Sequence, residues 1–405
     1  MRGVYVLLLI SLFGYAGRVG GQESVTITQC YEWARANYPQ IHQMGLIDQT
    51  ERYSLSNVGK AWLPQLSVSG KASYQSDVTK LPFDGDKISS LLPGFEIPSL
   101  SKDQYQVVAQ VDQTIWDGGS ARSARALTRA EATANREQLE SELYALNDRV
   151  NQLYFGCLLQ DELIRQNALL QKELQVNIER IEAMMENGVA NQSDLESMEV
   201  ELLNARQNEI ELKASRTVYR QMLATFINKP LTDQVVLKTP ESPERSLSTQ
   251  INRPELRALD AKSEWIETQN KQVTAGLMPR IGAFVQGGYG RPGLNMLEDS
   301  FEPYYVAGVR LSWNLGKLYT LKNDRRKIEV SRRQIDVQRE TFLFNTRLQL
   351  LRQNTEIKKM TDLMRADDDI IRLRTSIKQA AEVKLENGVI SVTDLIREIN
   401  AEDMA

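Results

Sequence analysis

The chain is written twice, and this constrains its fold more than any other feature, because self-similarity at a long period marks an architecture built from repeated units. Asn37, Pro39 and Ile41 match Asn252, Pro254 and Leu256, each trio opening a helical pattern, and Pro64 matches Pro279 at the same shift of 215 positions (39 to 254, 64 to 279). After Pro64 the period becomes two: Leu66, Val68, Gly70, Ala72 and Tyr74 alternate with Ser67, Ser69, Lys71, Ser73 and Gln75. After Pro279 the same alternation sets Ile281, Ala283, Val285, Gly287 and Tyr289 against Arg280, Gly282, Gln286 and Gly288, with Phe284 as the exception. Period two is the signature of a strand with two unlike faces.

A loop rich in Pro, Gly and Ser follows each of these strands, and a second strand follows each loop. The second strands carry Tyr105, Val107, Ala109 and Val111 in one copy, and Tyr305, Ala307, Val309, Leu311 and Trp313 in the other. Each copy thus predicts one antiparallel pair with about ten residues per strand, the length with which a tilted barrel strand crosses a bilayer. Trp116 and Trp313 close the second strands. Filling of a core is one reading of each tryptophan alone; their matched positions favour a membrane interface, where aromatic rings collect.

From about Ser120 to Asn187, and from about Lys317 to Asn387, there is no proline, and glycine occurs only at Gly156. At about 1.5 Å per residue such helices run to roughly 100 Å and must pair lengthwise. Leu139, Leu143, Leu146, Val150, Leu153 and Cys157 follow heptad spacing, as do Leu174, Ile178, Ile181 and Met185. Alanines 121, 124, 126, 130, 132 and 134 crowd the start of the first long helix, where small side chains permit close approach. Each long helix ends in one phrase, Glu186-Asn187-Gly188-Val189 with Asp194-Leu195, and Glu386-Asn387-Gly388-Val389 with Asp394-Leu395, shifted by 200 positions (188 to 388). Glycine stops a helix in the left-handed conformation, and Asn191 with Asp194, like Ser391 with Asp394, spells a capping box that opens the next. Each phrase predicts a tight helical hairpin.

Residues 1–21 read as a signal peptide: Arg2 supplies charge, residues 4–13 an apolar run, and Val19 and Gly21 the small cleavage positions. No later segment has the unbroken apolar length of a membrane helix, so a membrane role falls to strands in a closed barrel. The two cysteines, Cys30 and Cys157, are far apart in sequence and support neither a disulfide framework nor a metal site. A net charge of -4 over 405 residues gives no support to nucleic-acid binding. No catalytic set emerges. His42, the only histidine, reads as a helix-surface residue; there is no phosphate-binding loop and no metal cluster, and the carboxylates read as solvated helix pairs such as Asp161 with Arg165. No cofactor is expected.

The order of parts, from signal segment and Asn-x-Pro opening through strand pair, long helix and Gly-Val turn with Asp-Leu, all repeated, resembles the TolC-type outer-membrane efflux protein (outer membrane factor) family. That resemblance implies a mixed α and β, mostly helical fold with transmembrane β-barrel strands, four per protomer in a twelve-stranded homotrimer, and long periplasmic coiled-coil hairpins. It implies an outer-membrane export duct serving a tripartite efflux or type I secretion system, with a periplasmic adaptor protein, an inner-membrane pump and outer-membrane lipid as partners. By the same analogy Gly188, Val189, Gly388 and Val389 form the periplasmic tip, and Asp194 and Asp394 stand near its gate; capping of their own helices is the other reading. Arg397 stands where such proteins often carry an acidic residue, making this constriction less acidic.

The repeat divides the chain into a first copy at residues 22–228, a linker at 229–250 and a second copy at 251–405. After Gly388 only 17 residues remain (405 − 388), so the second returning helix is expected to be short, leaving an apolar seam unpaired. A fragment or a tunnel closed differently are the two explanations. A membrane-fusion-type adaptor carries one such hairpin rather than two, and a structural coiled coil has no need of amphipathic strands.

Overall fold

The computed structural model describes residues 24–78, 101–241, 251–295 and 298–405; the expected signal segment 1–21, most of the loop after the first strand and the last part of the linker, 242–250, lie outside them. In chain order the elements are β1 (Ser24–Val25), α1 (Ile27–Asn37), a 3-10 turn (Pro39–Ile41), α2 (His42–Lys60), β2 (Gln65–Tyr74), β3 (Asp103–Trp116), α3 (Ser120–Tyr144), α4 (Leu146–Glu186) and α5 (Gln192–Ile227). They continue as β4 (Val236–Leu237), α6 (Pro254–Ala275), β5 (Arg280–Arg291), β6 (Glu302–Ser312), α7 (Lys317–Glu386) and α8 (Val392–Asp403). The chain folds as two compact units, each drawing on both copies of the repeat.

The first unit holds residues up to Ile41, Glu142–Gln250 and Asn345–Ala405. Its α1 begins at a capping box between Thr26 and Gln29 and ends because Tyr38, extended before Pro39, cannot continue a helix. Val25, Cys30 and Ala34 pack with Val150, Leu153, Tyr154 and Cys157 of α4 and Leu223 and Ile227 of α5. The Tyr154 hydroxyl donates within reach of two carbonyls, Val25 at 2.8 Å and Lys238 at 2.7 Å, at the point where β1 and β4 pair in parallel. The expected linker is therefore tied down over Val236–Leu237. Cys30 and Cys157 share this core as free thiols, and burial pushes each up to about 11. Asn37 of the Asn-x-Pro opening donates to the carbonyl of Ile227 at 3.3 Å, joining the end of α1 to the end of α5.

The second core of this unit joins both hairpins. Leu174, Ile178 and Ile181 of α4, Met198, Leu202 and Ala205 of α5, Ala381 and Leu385 of α7, and Leu395 and Ile399 of α8 form one cluster. The heptad residues expected from spacing are thus the buried ones, with Met185 half-buried at the end of the run. Ion pairs clamp the cluster: Lys378 lies 2.9 Å from Glu173 and 2.5 Å from Glu402, and Arg180 lies 3.6 Å from Glu386. Two details differ from expectation. The first long helix is divided at Ala145, whose dihedrals (φ -64, ψ -16) lie near those of a 3-10 turn. Asp161 does not pair with Arg165: it faces α5, where Arg216 reaches it at 2.5 Å and the buried Arg220 at 3.6 Å, and Arg165 turns to Glu162 instead.

The second unit holds His42–Ser141 and Ile251–Phe344. Its sheet has the order β2-β3-β5-β6, antiparallel throughout, so the two predicted pairs are joined edge to edge through β3 and β5. A register shift between Thr114 and Trp116 marks a bulge at the end of β3. Ile266 of α6 packs with Ile328 and Ile335 of α7, and Arg332 pairs with Glu267 at 3.1 Å. His42 is exposed at the start of α2, as its sequence position suggests.

The turn from β3 into α3 demands glycine at Gly118 and Gly119, at φ +68 and φ +84. A Cβ on Gly119 meets open space, whereas one on Gly118 falls 2.6 Å from Met278 Cβ. Gly119→Ala should therefore cost about 1 kcal/mol, the strain of a left-handed residue, and Gly118→Ala more, because a clash adds to that strain; denaturant unfolding of the two variants checks the order.

Candidate functional site

Three features of the second unit and the hairpin ends can act on the surroundings. The first is the sheet. Leu66, Val68, Val107, Val285, Val309 and Leu311 stand on one face, all exposed, with Tyr305 at 79%. Pairing in register aligns them across strands, as in Leu66–Val111–Val285–Ala307. The opposite face carries Gln65, Ser67, Gln106, Gln110, Asp112, Gln286 and Arg310. Phe284, the exception to the alternation, lies on this polar face under the Arg310 guanidinium, 4.7 Å from its centroid, and Arg310 also reaches Asp112 at 3.9 Å. A cation over the ring face reconciles the aromatic ring with polar surroundings.

Trp116 and Trp313 lie at one end of the apolar face, both exposed, and the Trp313 indole donates to the carbonyl of Leu277 at 2.9 Å. The other end carries a second aromatic set that the sequence reading did not assign: Tyr74, Tyr105, Tyr289 and Tyr305, with Phe301 stacked on Tyr105 at 6.4 Å and on Tyr289 at 5.7 Å. The signal was present, since Tyr74 and Tyr289 close their alternating runs and Tyr105 and Tyr305 open theirs. From Tyr305 to Trp313 the strand covers roughly 26 Å at about 3.3 Å per residue, comparable with the apolar band of about 25 Å between aromatic girdles in transmembrane barrels.

The hairpin ends are built alike. Gly188 and Gly388 take φ +74 and φ +69. The Val189 amide donates to Met184 O at 2.9 Å and the Val389 amide to Lys384 O at 2.8 Å, which satisfies helix-end carbonyls in a Schellman motif. Val189 and Val389 project into solvent, 58% and 68% exposed. Asp194 accepts from the Asn191 amide at 3.1 Å and Asp394 from the Ser391 amide at 3.1 Å, so each carboxylate caps its own helix. Hydrogen bonds from Ser391, with Arg397 beside it at 3.4 Å, hold the Asp394 carboxyl below its ordinary value. The matching position in the first copy is Ser197, whose hydroxyl bonds to Ser193 O, so the two turns differ in charge.

A model of the outer membrane efflux protein family matches residues 30–229, the first copy almost whole. Residues 30–229 belong to this family. Members of the outer membrane efflux family are passive conduits of the outer membrane rather than enzymes. The fold extends the likeness across the second copy as well. The chain is similar to CusC, with a TM-score of 0.63 at 13% identity over 93% of this chain and 86% of that one. It is similar to the outer membrane protein VceC of Vibrio cholerae, with a TM-score of 0.60 at 13% identity over 93% and 90%. A further likeness is to the outer-membrane channel OprN, with a TM-score of 0.61 at 15% identity over 93% and 84%. No curated protein matches at the level of sequence. Among the described residues no helix is long and apolar enough to cross a membrane, and no group of side chains is arranged to hold a metal ion.

A Cβ on Gly188 or Gly388 meets nothing within 4 Å, so only backbone strain opposes alanine there. Each substitution should cost about 1 kcal/mol, measured by thermal unfolding. A depressed carboxyl stabilises above its unfolded value and loses that contribution as pH falls through its folded value. Ser391→Ala should therefore return Asp394 toward its ordinary 3.8, as followed by NMR titration, and remove the stability that the depressed carboxyl contributes to the second turn above that pH.

Proposed function

We propose that three copies of this chain close one twelve-stranded transmembrane barrel whose polar face lines water, making a passive export duct through the outer membrane. The observation that carries this reading is the sheet itself, apolar on an uncovered face, polar on the other, and unpaired at both edges, β2 and β6. Lipid offers no hydrogen bonds to open edges, so strands span it only when closed. Four strands are too few to enclose water, and threefold closure joins each β6 edge to the β2 edge of the next protomer.

The helices carry the duct into the periplasm, and the hairpin ends around Gly188, Val189, Gly388 and Val389 meet a periplasmic adaptor that links the duct to an inner-membrane pump in a tripartite efflux or type I secretion system. Family membership and the exposed valines support this placement. Asp194 and Asp394 cap their helices and, repeated around a threefold axis, present carboxylates near the constriction, where rings of acidic groups favour cations. Arg397 weakens that field in the second turn.

Val309 lies midway between Tyr305 and Trp313 on the apolar face. Val309→Arg should cost roughly 2–4 kcal/mol of barrel stability and lower the yield of inserted protein, while Gln286→Arg on the polar face leaves insertion intact; equal effects of the two would reverse the assignment of faces. In planar-bilayer recordings the wild type should conduct as a trimer, and Asp394→Ala should change cation block. Unchanged conductance and block would remove Asp394 from the gate.

A further inference from the structure

The strand-to-helix turn after Trp116 opens a groove of about 500 Å³ between the start of α3 and the end of α6. Its walls include Arg122, Ser123, Asn270, Lys271, Thr274 and Met278, with no carboxylate among them. Arg122 and Lys271 are exposed and make no ion pair among the described residues. The nearest acidic residue along the chain, Asp117, is occupied by its own turn, accepting from the amides of Gly119 at 2.9 Å and Ala121 at 2.5 Å. Glu267, one turn before Lys271, is engaged by Arg332 at 3.1 Å. Two cations thus line one cavity without a counter-ion among the described residues. The basic start of the long helix recurs in the other copy, where Lys322 and Arg325 match Arg122 and Arg125 at the 200-position shift of the hairpin turns (122 to 322, 125 to 325).

We propose that this groove seats the phosphate of an anionic phospholipid from the adjoining leaflet, with the Arg122 guanidinium and the Lys271 ammonium as counter-charges. The inference rests on the membrane placement of the sheet. Arg122 stands six residues beyond Trp116 and about 3 Å into α3 at about 1.5 Å per residue, within reach of the polar layer that flanks the hydrocarbon. Guanidinium and ammonium groups satisfy phosphate oxygens with charge-assisted hydrogen bonds, and Met278 and Ala126 offer apolar wall to the glycerol side of the lipid.

The test uses the full chain refolded into vesicles of phosphatidylcholine alone or with phosphatidylglycerol, reading the melting temperature of the assembled form and retained lipid by native mass spectrometry. Phosphatidylglycerol should raise the melting temperature of the wild type and be retained. Arg122→Gln/Lys271→Gln should keep the phosphatidylcholine value, lose the rise and bind phosphatidylglycerol roughly thirtyfold more weakly. Lys271→Gln alone should lose part of the rise, which preserves the test if the double variant does not refold. Neutralising Arg352 and Lys358 instead should leave the rise intact. The proposal is overturned if the double variant retains the full rise, if the inserted wild type shows none, or if inorganic phosphate in phosphatidylcholine vesicles reproduces it, marking a free-anion site. It is also overturned if neutralisation changes ion selectivity while the lipid response stays whole. Failure to insert into either vesicle would be a different result, refuting the membrane reading itself.

Discussion

The backbone hydrogen bonds at the two open edges of the sheet are the constraint on which everything else depends. Among the described residues, β2 and β6 each use one side of their ladder, leaving the other side without a partner over ten or more residues. A sheet of this kind is a hazard in water, where an open edge recruits other strands, and is impossible in lipid, where nothing satisfies it. The apolar face, exposed among the described residues, is likewise costly in water. In the proposed barrel, closure with further copies would meet both demands at once and would make the polar face, with its glutamines and the Arg310–Phe284–Asp112 stack, the wall of a water-filled passage.

The hairpin ends follow a different physics. Their core is made by four helices from both copies, so neither hairpin packs alone at that level. Lys378 is only 12% exposed and sits between two carboxylates on different helices, one from α4 and one from α8. Partial burial strengthens such contacts while making the loss of either partner costly. Away from this core α7 is left bare: Leu348, Leu351, Ile357, Met364 and Leu373 all face solvent, because α8 covers only the last turns of α7 whereas α5 runs back along α4.

The buried ionisable groups are engaged structurally, with Arg220 donating to the carbonyls of Thr232 at 2.7 Å and Val235 at 2.6 Å, and the thiols of Cys30 and Cys157 held protonated by burial. A conduit needs walls, ends and a place in the membrane, and those are the features the chain invests in.

Local and periodic features were legible in the sequence because their causes are local. Alternation set the two faces of each strand, heptads marked the buried stripe of α4, and the Gly188 and Gly388 phrases with their capping boxes set both helix ends, since a left-handed glycine and a first-turn carboxylate act within a few residues. The fold class and the duct reading followed from seeing these parts twice in register. Only the tertiary structure decided which separated parts meet: the joining of β3 to β5, the shared core of both hairpins, the turn of Asp161 toward Arg216 rather than Arg165, the second aromatic set around Phe301, and the groove that brings Arg122 beside Lys271. Residues far apart in sequence become neighbours through packing of whole elements, and periodicity within one element carries no record of what another element will bring to its surface.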